Sequence, residues 1–300
     1  MKASTLLLPL SLATAIAAQE AAPLDAVTTP PTAEVERLTL DAFYQRYCSA
    51  GGVPIVASSK VSPYAMLEAR HLIDHMLDGR EDIRAKLVEN KVRFAIMAAT
   101  EMTTAIPEHA TLKPGKYWDR RARGLGATKH RPCVSCGEEN LLRYPGDPYF
   151  EESILLHEFA HAIHHMALVD VDETFDSRLK ETYEAAIKAG LWKGKYAATN
   201  RAEYWAEGAQ SWFDDNREDD HDHNHVNTRE ELREYDPGLA ALCEEVFGDR
   251  AWRYQKPQDR DPKDRAHLKG YDVERAPRFR WPEGLEEWYR DYMRKKRKRD

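Results

Sequence analysis

Three hundred residues, 42% of them hydrophobic and 10% aromatic, supply the material for a real core and exclude a wholly disordered chain. A formal net charge of -7 at pH 7 excludes the basic domain that nucleic-acid binding requires. No stretch reaches the about 18 consecutive apolar residues of a membrane span, so no span is expected. The chain opens with Lys2, an apolar run over residues 6–16 and the small-x-small pattern Ala15-Ile16-Ala17, which predict a secretory signal peptide over residues 1–18. Residues 19–34, rich in Ala, Pro and Thr, read as a disordered leader. A folded domain is expected over residues 35–253. Residues 52–58 (GVPIVAS) read as a strand, residues 63–91 as helix broken at Gly79, and residues 92–98 (VRFAIMA) as a second strand. Residues 107–146 are rich in Gly and Pro and read as turns. Helices follow over residues 149–168, 173–189 and 201–213. Residues 214–226, acidic and His-rich, read as a solvated loop, and one more helix spans residues 237–247. Residues 254–300 are read as an extension that wraps the surface and ends in a helix with a basic tail. Strands come early and helices late, which predicts an α+β fold.

The four cysteines, Cys48, Cys133, Cys136 and Cys243, suggest two disulfides in an exported protein, with three pairings open. A four-thiolate zinc site is the weaker alternative, because only one CxxC pair exists.

Within the apolar helix of residues 149–168 stands His157-Glu158-Phe159-Ala160-His161, an H-E-x-x-H pattern. Spacing of i, i+4 puts both imidazoles on one helix face, within reach of one tetrahedral zinc. Glu158 projects at a neighbouring angle, where a carboxylate can take a proton from a water. A catalytic zinc needs a third protein ligand and an open position. A further histidine at residue 167 would supply it in one subclass, but that residue is Ala167. The best acids are Glu203 and Glu207, again i, i+4: one can ligate while the other accepts a hydrogen bond from a ligand histidine. Glu203 also fits the third helical position of a capping box begun by Asn200. His164, seven residues after His157, falls on the same face and is read as a packing or supporting residue.

The pattern HEFAH, then a tyrosine, six residues and E-x-x-x-E, resembles the gluzincin metallopeptidases related to anthrax lethal factor and the Pro-Pro endopeptidases. The resemblance covers residues 155–213, and residues 101–142 are similar to secreted microbial zincins; Ala160 stands where that group usually has glycine. It implies a zincin-like domain with a small mixed sheet, a central active-site helix and a mostly helical second half. It also implies Glu203 as the third ligand, Tyr196 as a donor to the oxyanion, and Glu207 supporting a ligand histidine. The expectation is therefore a secreted, monomeric, one-zinc peptidase acting on protein or peptide. Its general base is Glu158, and the strand over residues 92–98 is expected to be a sheet edge for the substrate. The rivals are a zinc-binding effector without hydrolysis, and a zinc hydrolase of a non-peptide amide or a glycan.

Overall fold

The computed structural model of this chain describes residues 24–298; the expected signal peptide lies outside them. The expected leader is ordered from Leu24 onward. Thr28 and Tyr47 exchange backbone hydrogen bonds of 2.9 and 2.7 Å, satisfying the outer side of the first strand. Helix α1 (Thr32–Leu38) follows, anchored by buried Leu38. Strands β1 (Arg46–Ala50) and β2 (Val53–Ala57) form an antiparallel hairpin through Gly51 and Gly52, at φ 55° and 97°. Two consecutive positive φ values are what a two-residue hairpin turn demands, and glycine meets them without strain.

Helix α2 (Pro63–Met76) starts on Pro63, with the Ser62 hydroxyl accepting from Tyr64 N–H. With α3 (Glu81–Glu89) it forms the crossover to β3 (Arg93–Met97), which runs parallel to β2. Next come α4 (Gly115–Arg121), the two-residue β4 (Gly124–Leu125), β5 (Cys133–Gly137) and the single turn α5 (Glu138–Leu141). The sheet order is β1-β2-β3-β5-β4, with β4 antiparallel to β5 and the β3–β5 pair parallel. So β3 lies in the interior of the sheet. The expectation that it forms the edge is wrong, because both of its sides are already hydrogen-bonded; β4 is the edge on this side.

The helical half comprises α6 (Ile154–Ile163), α7 (Val169–Val171), α8 (Phe175–Lys188), α9 (Arg201–Trp212), α10 (Arg229–Tyr235) and α11 (Pro237–Phe247). A π turn, His164–Leu168, joins α6 to α7. Alternation along β3 divides the core: Phe94 and Ile96 face the helices, with Phe94 packing edge-on to Phe159 of α6, while Ala95 and Met97 face a smaller cluster around Leu38 and Tyr44. Cys133 and Cys136, an odd number apart on β5, fall on opposite faces of the sheet. All four cysteines are buried free thiols, so the two expected disulfides are not formed here, and burial pushes the Cys48 thiol up to about 12. The fold is α+β with a small mixed sheet, and among the described residues no helix is long and apolar enough to cross a membrane.

Beyond α11 the chain passes back over α2. Arg260 makes a bidentate pair with buried Glu68 at 2.9 and 2.6 Å, and His267 reaches the same carboxylate at 2.8 Å. The last element, α12 (Leu285–Lys296), packs on α4 through Tyr117, Tyr289 and Tyr292.

Candidate metal centre

Helix α6 is held at its start by side chains from elsewhere. Asp215 accepts from Ser153 N–H, and Asn140 Oδ1 accepts from Ile154 N–H at 2.8 Å. These satisfy donors that a helix start leaves without partners. Its apolar residues Leu155, Phe159 and Ile163 are buried, which turns His157 and His161 toward α9. Helix α9 is capped by Asn200, whose side chain accepts from the backbone N–H of Ala202 and Glu203 at 2.8 and 3.0 Å. Trp205 Nε1 donates to Ala160 O at 2.9 Å and locks the two helices together.

That packing brings three ligand atoms into a near-equilateral triangle. The two histidine Nε2 atoms are 3.2 Å apart, and Glu203 Oε2 lies 3.1 Å from His157 Nε2 and 3.2 Å from His161 Nε2. Ligands bound tetrahedrally to zinc at about 2.0–2.1 Å stand about 3.3 Å apart, so the spacing suits one such ion. A calcium site would need about six to eight oxygen ligands, which two imidazoles do not provide. Among the described residues this trio is the one group of metal-capable side chains so converged. The Glu203 carboxylate therefore points at the histidines rather than back at Asn200, and the capping-box alternative for it falls away.

The electrostatics of the pocket call for a cation. Burial acts to lower the His157 pKa, but hydrogen bonding to Glu203 and the charges of Glu158 and Glu207 raise it to about 10. Glu203 is held well below the usual carboxylate range: burial works against this, and its bonds to His157 and His161 prevail. Burial pushes Glu158 up, with His157 and His161 opposing. Its side chain lies against the edge of the sheet, where a Cβ on Gly124 would stand 2.9 Å from Glu158 Cγ.

Tyr196 sits on a short 3-10 turn, its N–H bonded to Asp222 O at 2.7 Å and its ring 6.2 Å from that of His157. Burial, then Glu203, pushes its hydroxyl above the ordinary range while Arg121 opposes, so it is a proton donor at neutral pH. Glu207 is the more distant partner of His157 Nδ1, at 3.5 Å; Gln210 Oε1 holds that nitrogen at 2.7 Å. Gln210 went unread in the sequence, although it lies seven residues after Glu203 on the same helix face. His164 does not reach the trio. It bonds Asp176 at 3.0 Å, because the π turn breaks the α-helical phase that had placed it on the metal face, and His165 stacks on His161 instead.

The acidic loop is also not simply solvated. Asp215, Asn216 and His223 are buried, and Glu207 receives hydrogen bonds from Asn216 Nδ2 at 3.0 Å and lies 3.2 Å from His223 Nε2. Against this geometry, no family model and no curated protein matches the chain.

Proposed function

We propose that the chain is a secreted, zinc-dependent peptidase of the zincin type, as its resemblance to the lethal factor and Pro-Pro endopeptidase group implies. The observation that carries this reading is the triangle of His157, His161 and Glu203 with Glu158 beside it. Zinc in such a site acts as a Lewis acid and brings the pKa of a bound water toward neutrality.

The chain's own groups divide the remaining work. Glu158, a carboxylate with a raised pKa, accepts the proton of the attacking water on its carboxyl oxygen and returns it to the leaving amine nitrogen. The Tyr196 hydroxyl, kept protonated, donates to the oxygen on which negative charge develops. Gln210 and Glu207 fix the orientation of His157 through Nδ1. The outer side of β4 offers unpaired backbone groups on which an extended peptide can lie, next to Glu158.

Wild type and Glu158→Gln are incubated with a peptide library, and new termini are mapped by mass spectrometry. New termini should appear with wild type alone, while both proteins carry one zinc. Zinc-loaded wild type that cuts nothing would leave a binding protein; equal cutting by both proteins would remove Glu158 as the base.

A further inference from the structure

A protein with net charge -7 carries one strongly basic face. Residues 113–121 and 285–298, the α4 and α12 segments, hold ten Lys or Arg against four Asp or Glu. The two helices are one surface. Tyr117 stacks on Tyr289 with centroids 5.8 Å apart, Lys116 Nζ lies 6.0 Å from the Trp288 ring, and Lys296 Nζ lies 6.0 Å from the Tyr117 ring. Among the described residues only two of the ten cations are in ion pairs, Arg120 with Glu286 and Arg294 with Asp291. Lys113, Lys116, Arg121 and every cation from Arg294 to Lys298 are exposed. This face also leads into the metal centre: α4 ends at Arg121, whose charge acts on Tyr196, and the next strand, β4, is the edge that borders Glu158.

We propose that the α4–α12 face is a docking surface for an acidic segment of the polypeptide that is cut at the adjoining site. The substrate class is thus a protein or peptide carrying a run of Asp or Glu beside the scissile bond, and the proposal rests on the peptidase reading of that site. Complementary charge selects it, and the 12 residues of α12, about 18 Å of helix, match five or six residues of extended chain. An anionic membrane is disfavoured, because surface-binding helices insert an apolar face. Here the aromatic residues of α12 are spent on α4, and no large exposed hydrophobic side chain lies on it. A long nucleic acid would run beyond the patch onto the acidic remainder of the molecule.

The test uses the full chain carrying Glu158→Gln and a fluorescent peptide with a run of glutamates, read by anisotropy. Anionic vesicles and a DNA duplex serve as parallel arms. The glutamate peptide should bind, and the reversal Lys295→Glu, Lys296→Glu, Arg297→Glu, Lys298→Glu should weaken it by about tenfold or more, with zinc content and circular dichroism matching the parent. Raising salt should weaken it further. Binding that ignores the reversal, or confinement of binding to vesicles or DNA, overturns the proposal. Reversal-sensitive peptide binding by a wild type that hydrolyses nothing would leave the acidic-peptide surface and remove the peptidase reading instead.

Discussion

Gly124→Ala places one methyl group between the edge strand and the central helix. Its Cβ would overlap Ile154 Cγ2 and stand 2.9 Å from both Glu158 Cγ and the Ser135 carbonyl oxygen. The carbonyl belongs to β5 and the Ile154 methyl sits close to its own backbone, so neither can swing away. Restoring ordinary contact requires a shift of about 0.5 Å or more between β4 and α6. Overpacking of this kind costs about 1–3 kcal/mol, and displacing a reacting group by up to about 1 Å costs about 10²-fold in rate. The variant should therefore unfold at lower urea, lose about two orders of magnitude in turnover, and still hold one zinc, because no ligand atom borders residue 124. Gly115→Ala is the control, since its Cβ meets only Thr104 Cγ2 at 3.8 Å, and it should keep the parental stability. Gly124→Ala with parental stability and full turnover would refute the placement of β4 against Glu158.

Three other outcomes follow from the same geometry. Gln210→Leu removes the acceptor on His157 Nδ1 and should weaken zinc binding about 10–100-fold in chelator competition; unchanged affinity would assign that support to Glu207 alone. Tyr196→Phe should lower kcat by about 10²-fold at unchanged zinc content, and an unaltered kcat would leave the tyrosine a packing residue. Burial holds the His71 pKa down at about 3, and Glu68 is held at about 2, where burial opposes and Arg260 with His267 prevails. Both folded values lie below those of the unfolded chain, so their stabilisation is complete above about pH 6.5 and is lost as pH falls through the acid range. The urea midpoint should fall between pH 7 and pH 4, and fall less in His71→Phe; an equal fall in both would show that His71 does not contribute.

The sequence made the metal-bearing helix legible because a long apolar element carries its chemistry at fixed spacing, and His157, Glu158 and His161 need only one helix to be placed. Glu203 needed the packing of a second helix, yet its i, i+4 relation to Glu207 pointed to the right face. The strands β1 and β5 were unreadable for a different reason. RYCSA lacks alternation and exists because the Gly51-Gly52 turn folds it onto β2, while CVSCG is short, polar in its side chains and buried on both faces. Strand β4 is two residues between glycines, and nothing local distinguishes it from a turn. Helix α10 was legible but unread: Thr228 and Glu231 form a capping box with both reciprocal bonds made. His164 shows the opposite failure, since an ideal helical count carries no warning of a π turn.

The pairing of Glu68 with Arg260 has a bearing on how the molecule can be cut. A carboxylate lies at full depth inside α2, and its counter-charge is delivered by a residue 192 positions later. Removing one partner of such a pair strands the other ion away from water, at about 3–5 kcal/mol. That is a large part of the stability of an ordinary domain. A shortened chain ending at residue 253 would carry that burden from synthesis onward, and a protease nick ahead of Arg260 would loosen α2 at a distance from the break. Residues 254–268 are thus a structural member of the domain they follow, and expression boundaries belong beyond them.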